Sequence, residues 1–92
     1  MLILTRSSAV SFLTGITVAP LTTVIREIPT EVLLTPDNDG VPEECVVNLD
    51  NLQTIQKAQM GRLIATLSTS RMAEVEAALC FALGMDGKLR QA

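Results

Sequence analysis

The sequence predicts a small, mainly β, α+β fold in which short antiparallel strands form a barrel-like sheet and one amphipathic helix packs on it. Several short apolar runs rich in β-branched residues alternate with turn-forming residues, as in small barrels. A single helical stripe of apolar residues follows near the C-terminus. The 92 residues are enough for one core and one domain. These patterns predict the elements and leave their topology open.

The N-terminal half contains three predicted strands. Residues 1–5 form an aliphatic, β-branched run typical of a strand that is buried on both faces. The polar segment 6–14 is predicted to be a loop, and residues 16–22 form the second strand. Pro20 cannot donate a hydrogen bond to a sheet, so we expect it at an edge or a bulge. Residues 30–35 form the third strand.

Turn-forming residues at positions 36–40 separate this half from the next strands. The run Pro-Asp-Asn-Asp-Gly is the strongest turn signal in the chain. After it, the sequence predicts further strands and one helical turn. The strands are residues 45–49, 52–55 and 63–67, and the helical turn is residues 57–61.

The clearest helix lies near the C-terminus. Ser68 is a suitable N-cap, since its hydroxyl can accept a hydrogen bond from a free N–H of the first turn. Gly84 is placed to end the helix in a left-handed conformation. The apolar stripe between them consists of Met72, Val75, Ala78, Leu79, Ala82 and Leu83. We therefore predict one domain over residues 1–85 and a C-terminal tail over residues 86–92.

Composition restricts how this chain could bind nucleic acid. Aromatic residues make up 2% of the chain and consist of Phe12 and Phe81, which excludes a surface built on base stacking. The formal net charge is −3 and the seven basic residues are scattered, so no basic face is predicted. Any RNA must therefore be held by a local site. An acidic chain also suits a partner that supplies basic groups.

Histidine, cysteine and carboxylate content argues against metal and redox chemistry. Histidine, the commonest general base and metal ligand, is absent. Cys45 and Cys80 match no zinc-binding or redox spacing and are predicted to be buried, reduced thiols. No carboxylate pattern predicts a metal site, so we expect neither metal nor cofactor. Without a signal peptide or a membrane-length apolar run, we expect a cytoplasmic protein with no membrane partner.

The remaining polar residues could support cleavage of RNA without a metal. RNA supplies its own nucleophile, the 2′-hydroxyl. The protein then needs a base near this hydroxyl, donors or cations at the phosphate, and an acid for the leaving oxygen. We predict Asp50 as the base and Arg26 as the phosphate clamp. Thr22 and Thr23 are the predicted hydrogen-bond donors.

The same residues also have purely structural interpretations. Thr22 and Thr23 could serve a ladder or a turn at the end of a strand. Arg26 could form an exposed ion pair with Glu27 that contributes little to stability. The segment 48–51 could build an Asx-turn from its amide and carboxylate side chains. Spacing alone leaves both interpretations open.

Seven segments, by their order and spacing, resemble a known toxin family. Residues 18–23 read Val-Ala-Pro-Leu-Thr-Thr and residues 46–55 read Val-Val-Asn-Leu-Asp-Asn-Leu-Gln-Thr-Ile. Residues 2–6, 26–32, 61–62, 67–68 and 72–84 also match. Together they resemble the MazF/PemK (Kid) family of type II toxin–antitoxin systems over nearly the whole chain. The resemblance implies an SH3-like barrel and a homodimeric, sequence-specific endoribonuclease that cleaves single-stranded RNA without metal. It also implies a cognate antitoxin as partner.

The resemblance further implies roles for individual residues. Thr22 matches the hydroxyl nearest the scissile phosphate, and Asp50 matches a residue with a base-like or substrate-binding role. Asn48 stands where some family members carry a catalytic arginine, and Arg26 is the candidate catalytic cation in this chain. The expected substrate-binding residues are Thr23, Asn48, Asn51 and Arg6.

The start of the chain departs from the family pattern. Family members begin with a further strand, a glycine-rich loop and an Arg-Pro pair, and that arginine is their main phosphate-binding cation. We expect either a start placed too far downstream or a truncated gene, which leaves Arg26 as the best remaining cation. Two alternative functions remain: a catalytically weak or inactive remnant that still binds an antitoxin, and a gyrase-directed toxin of related fold.

Overall fold

The computed structural model describes residues 1–5, 7–10, 12–60 and 66–85, without the side chains of residues 7 and 8. Strands and short helices alternate along these residues, and one longer helix follows them. The strands are β1 (Leu2–Ile3), β2 (Gly15–Ala19), β3 (Leu21–Thr22), β4 (Glu31–Leu34), β5 (Cys45–Asn48) and β6 (Gln53–Gln56). The helices are α1 (Ser7–Val10), α2 (Pro36–Asp39), a 3-10 turn (Lys57–Gln59) and α3 (Thr69–Ala82).

The strands of the described residues form two antiparallel three-stranded sheets, in the orders β1-β2-β6 and β3-β5-β4. Pro20 lies between β2 and β3, at the point where the chain passes from one sheet to the other. Its carbonyl accepts a hydrogen bond from the Asn48 N–H at 2.9 Å. The predicted α+β fold of antiparallel strands and a C-terminal helix is therefore confirmed. The single strand predicted over residues 16–22 is instead two strands, because Pro20 cannot donate to a ladder. Within the described ranges the sheets do not close into one barrel.

Two predictions for the N-terminal segment were wrong in detail. The first strand covers Leu2–Ile3 alone and is half-buried, because β1 lies at the edge of its sheet and has a neighbour on one side only. The segment 6–14, which was predicted to be a loop, contains the helical turn α1. The Ala9 carbonyl accepts hydrogen bonds from Phe12 and Leu13, both at 3.0 Å, which continue the turn.

Three other predictions fall wholly or partly outside the described residues. The strand predicted at 63–67 is one of them, since residues 63–65 are not described and residues 66 and 67 are not in a strand. Arg6 and the C-terminal tail 86–92 also lie outside the described residues.

The predicted turn at 36–40 is a single helical turn with a cap at each end. The Thr35 hydroxyl accepts a hydrogen bond from the Asn38 N–H at 3.3 Å, and Pro36 occupies the first helical position, where no N–H is needed. Gly40 ends the turn at φ 71°, a left-handed conformation that a Cβ would disfavour. The turn residues therefore act as the sequence predicts, within a short helix.

Helix α3 begins and ends where the sequence predicts. The Ser68 hydroxyl accepts a hydrogen bond from the Arg71 N–H at 3.1 Å. At the other end Gly84 has φ 71°, and its N–H donates to the Phe81 carbonyl at 3.1 Å. The Met85 N–H donates to the Cys80 carbonyl at 2.7 Å, which completes a Schellman motif. No helix of the described residues is long and apolar enough to cross a membrane.

The main core lies between the β3-β5-β4 sheet and α3. Its buried members are Ala19, Val32, Leu34, Val41, Cys45, Val47, Leu49, Val75 and Ala78. The buried stripe of α3 is narrower than predicted, because Met72 and Leu83 are 37% and 45% exposed. Both cysteines are free thiols, but the prediction of burial is correct for Cys45 only, since Cys80 is half-buried. Burial raises the pKa of the Cys45 thiol.

An ion pair between the buried Asp39 and the half-buried Arg71 joins α2 to α3. The Arg71 guanidinium donates from Nε to Asp39 Oδ1 at 3.0 Å and from Nη2 to Oδ2 at 3.1 Å. The Asp39 side chain is 1% exposed and also accepts a hydrogen bond from the Thr35 N–H at 2.8 Å. Hydrogen bonding to Arg71 lowers the pKa of Asp39 in spite of burial, and the same bond raises the pKa of Arg71. The pair therefore stays ionised and fixes α2 against α3.

Candidate functional site

Three polar side chains share one face of the β3-β5-β4 sheet with the buried Val46 and the exposed Leu33. Thr22 is paired with Val46, and Glu31 is paired with Asn48. Paired residues share a face, as do residues two apart on one strand, so Thr22, Glu31 and Asn48 all lie on the same side of this sheet. The opposite side carries the residues that pack in the main core against α3. We refer to Thr22, Glu31 and Asn48, together with Asp50 in the turn after β5, as the polar strip.

Thr22 lies at one end of the polar strip, where β3 ends. Its hydroxyl oxygen accepts a hydrogen bond from the Val24 N–H at 3.1 Å, so the structural interpretation of Thr22 as a turn residue is correct. This bond uses a lone pair of the oxygen and leaves the hydroxyl proton for another acceptor. Thr23, the next residue, is exposed. The pair can therefore serve the turn and still donate to a bound phosphate.

Asp50 lies at the other end of the polar strip and is held by two hydrogen bonds. Its N–H donates to Asn48 Oδ1 at 2.9 Å, which forms the Asx-turn that the sequence allowed. Its Oδ2 accepts a hydrogen bond from the Thr30 hydroxyl at 2.6 Å. Oδ1 has no hydrogen bond to any residue that the structure describes. The carboxylate is therefore anchored through one oxygen and presents the other to solvent, beside the exposed Asn51.

Thr30 is a site residue that the sequence analysis missed. It is 6% exposed, and its carbonyl accepts a hydrogen bond from the Leu49 N–H at 2.9 Å. The turn that carries it is closed by the Glu31 N–H, which donates to the Ile28 carbonyl at 3.0 Å. Pro29 occupies the second position of this turn, where its restricted φ is favourable. The Ile-Pro-Thr-Glu run is a turn signal that can be read from the sequence. The contact between Thr30 and Asp50 joins residues twenty apart in the chain, so no local pattern predicts it.

Arg26 lies in the exposed connection between β3 and β4. Its N–H donates to Glu31 Oε1 at 2.9 Å, which places its backbone beside the polar strip. Its guanidinium forms no hydrogen bond or ion pair with the residues that the structure describes. The alternative ion pair with Glu27 is therefore not formed. Glu27 has φ 55° and turns the connection at this point.

The pairing register divides the predicted site residues into two groups. Asp50 follows Val46, the partner of Thr22, by four residues and lies in the turn after β5. Asn48 and Asp50 lie at one end of the polar strip, near the Arg26 backbone. Thr22 and Thr23 lie towards the other end.

The sequence matches a family model over most of its length. A model described as PemK-like, MazF-like toxin of type II toxin-antitoxin system covers residues 1–83. The chain belongs to this toxin family. Among curated relatives, Endoribonuclease MazF3 of Mycobacterium tuberculosis strain H37Rv is 43% identical over 83 residues, which are 90% of this chain and 76% of that protein. Probable endoribonuclease MazF5 of the same strain is 36% identical over 88% of this chain and 71% of that protein.

Solved structures of a MazF toxin and of a mycobacterial endoribonuclease also have this fold. Mycobacterium tuberculosis toxin MazF-mt6 aligns with a TM-score of 0.85 and 37% identity, over 98% of this chain and 86% of that chain. A mycobacterial endoribonuclease in complex with its cognate antitoxin aligns with a TM-score of 0.80 and 29% identity, over 90% of this chain and 78% of that chain. The two-sheet arrangement with a C-terminal helix is thus shared with members of the MazF family.

Proposed function

We propose that this chain is the toxin of a type II toxin–antitoxin pair and an endoribonuclease of the MazF type. The observation that carries the proposal is the polar strip, in which a hydroxyl and an amide share one sheet face and a carboxylate follows in the next turn, beside Arg26. The named endoribonucleases among its relatives support the same activity. The substrate is single-stranded RNA, which is attacked by its own 2′-hydroxyl. The products are a cyclic phosphate and a 5′-hydroxyl.

The role that we propose for each residue in RNA binding and cleavage follows from its position. Asp50 Oδ1 takes the proton from the 2′-hydroxyl as the bond from phosphorus to the 5′-oxygen breaks, and the leaving 5′-oxygen takes a proton from solvent water. Arg26 neutralises charge that develops on the adjacent phosphate. Thr22 and Thr23 bind the RNA backbone further along the strip, because the register separates them from Asp50. The Asn48 NH₂ group and the Asn51 side chain bind the nucleotide beside Asp50. Asn48 uses its NH₂ group because its Oδ1 already accepts the hydrogen bond of the Asx-turn. Arg6 remains a predicted substrate contact.

We further propose a homodimer and a cognate antitoxin as partners. Large apolar side chains are exposed on the connection before β4 and on β4 itself, namely Val24, Ile25, Ile28 and Leu33. An uncovered apolar group of this kind is typical of a surface used for association. The net charge of −3 favours an antitoxin segment that supplies basic groups. Light scattering of the toxin alone and with its antitoxin measures both assemblies.

The first prediction concerns cleavage of a long RNA in the presence of EDTA. We expect Asp50→Ala to lower kcat by about 100-fold or more, the usual contribution of a general base. Thr22→Ala removes one backbone contact and should lower kcat/KM by about 10-fold. The matched controls are Asp37→Ala on α2 and Thr54→Ala on β6, which are exposed and lie outside the polar strip.

The controls decide what a loss of cleavage means. Equal losses for Asp37→Ala and Asp50→Ala would remove Asp50 from the chemistry. If the unmutated chain leaves RNA intact but still binds an antitoxin peptide, the chain is the inactive remnant and not a nuclease.

A further inference from the structure

Thr30 is buried where the turn before β4 meets the turn after β5. Two hydrogen bonds join these turns: the Leu49 N–H donates to the Thr30 carbonyl at 2.9 Å, and the Thr30 hydroxyl donates to Asp50 Oδ2 at 2.6 Å. Thr30 is 6% exposed, whereas Asp50 is exposed. A buried residue therefore holds the side chain of a residue that faces solvent.

The bond from Thr30 to Asp50 restricts an otherwise mobile carboxylate. An exposed aspartate rotates about both side-chain torsions, and a short hydrogen bond to a charged oxygen is among the stronger ones in proteins. Because Oδ2 is occupied by the Thr30 hydroxyl, Oδ1 is the oxygen left to face a ligand. The Asx-turn through Asn48 Oδ1 fixes the Asp50 backbone at the same time. Backbone and side chain are thus oriented by separate groups.

We propose that Thr30 is a positioning residue, which directs Asp50 Oδ1 towards the 2′-hydroxyl of bound RNA. The inference rests on the proposed ribonuclease function and adds to it a residue outside the polar strip. Correct placement of a reacting group contributes strongly to rate, and misplacement by a fraction of an ångström lowers it. Thr30 acts through Asp50 and has no contact with the substrate of its own.

The test compares two substitutions at position 30 with the steady-state kinetics of RNA cleavage as the readout. Thr30→Val keeps the shape of the side chain and removes the donor, so we expect kcat to fall about 10-fold with little change in KM. Thr30→Ser keeps the donor and should restore most of the rate. Thr35→Val is the matched control, because it removes the hydroxyl cap of α2 and leaves Asp50 untouched. It should keep the wild-type kcat.

A double-mutant cycle separates positioning from a general structural effect. If Thr30 acts through Asp50, Thr30→Val should have no further effect on the residual rate of the Asp50→Ala chain. Thermal unfolding of every variant shows whether the fold is retained under assay conditions. A further 10-fold loss in the double mutant, or a wild-type kcat for folded Thr30→Val, overturns the inference and leaves the ribonuclease proposal in place. An unmutated chain that leaves RNA intact overturns both.

Discussion

At the scale of single residues, structural and functional interpretations of the same side chain are compatible. Asn48 forms the Asx-turn with the Asp50 N–H, and Thr22 forms a turn with the Val24 N–H. Each of these bonds leaves part of the side chain unused: the amide NH₂ of Asn48 and the hydroxyl proton of Thr22. Local turn geometry therefore presents these groups at the surface of the sheet without consuming them.

Arg26 provides a prediction at this scale, because its guanidinium has no partner among the described residues. Binding is measured with an RNA whose 2′-hydroxyls are replaced by hydrogen, so that cleavage does not interfere. Arg26→Ala should weaken binding to all sequences and reduce the slope of log affinity against log salt by about 0.7, the value for one phosphate contact on a single strand.

Arg26→Lys is the control for charge without the planar guanidinium. It should keep the salt slope and lose part of the affinity, because lysine cannot donate two parallel hydrogen bonds to a phosphate. Wild-type affinity and salt dependence in Arg26→Ala would exclude Arg26 from the RNA contact.

At the scale of elements, the ends of α3 were predictable because local chemistry decides them. The Ser68 cap and the left-handed Gly84 lie within a few residues of the groups they satisfy. The same holds for the turn at 36–40, where Thr35, Pro36 and Gly40 act on their immediate neighbours. The ion pair of Asp39 with Arg71 joins residues 32 apart, and no local pattern reveals it.

This ion pair gives a prediction for stability at neutral pH. Asp39→Asn removes the buried counter-charge of Arg71 and leaves this half-buried guanidinium paired, among the described residues, with Glu74 alone, so we expect a loss of about 2 kcal/mol in the free energy of unfolding. Asp37→Asn on the same helical turn is the matched control, since Asp37 is exposed and forms no ion pair with a described residue. Urea unfolding at pH 7 compares the two variants with the wild type. Equal stability of the two variants would contradict a stabilising ion pair between Asp39 and Arg71.

The same pair makes part of the stability depend on pH. Arg71 holds the pKa of Asp39 below its usual value of about 4, so protonation favours the unfolded chain. The contribution is therefore complete above about pH 4 and is lost as pH falls through the lower pKa of the folded chain. We expect the stability difference between the wild type and Asp39→Asn to be constant from pH 7 to pH 5 and to shrink in more acidic solution. A difference that grows on acidification would contradict this sign.

At the scale of the whole molecule, the two faces of β4 have different surroundings. Leu34 is 1% exposed in the core against α3, whereas its neighbour Leu33 is 42% exposed on the other face. Leu34→Ala should lower the free energy of unfolding by about 3 kcal/mol, from lost burial and the cavity it leaves. Leu33→Ala, which makes the same chemical change, should lower it by less than about 1 kcal/mol in the monomer.

Chemical denaturation at low protein concentration checks both leucine variants. A Leu33→Ala loss that grows with protein concentration would indicate that this face is covered in an assembly. A Leu34→Ala chain as stable as the wild type would contradict the assigned register of β4, since a shift of one residue exchanges the two faces.

The sequence by itself determined the family, the fold class and most element positions, because alternation, caps and turn residues act over a few residues. It also indicated Thr22, Asp50 and Arg26 as candidate groups, although their roles remain predictions. The tertiary structure decided what depends on distant pairs: the division of the described strands into two sheets, and the ion pair of Asp39 with Arg71.

The anchoring of Asp50 by Thr30 and the separation of Thr22 from Asp50 were likewise decided by tertiary structure. Strand register and turn-to-turn contacts join residues far apart in the chain, so only the folded backbone specifies them.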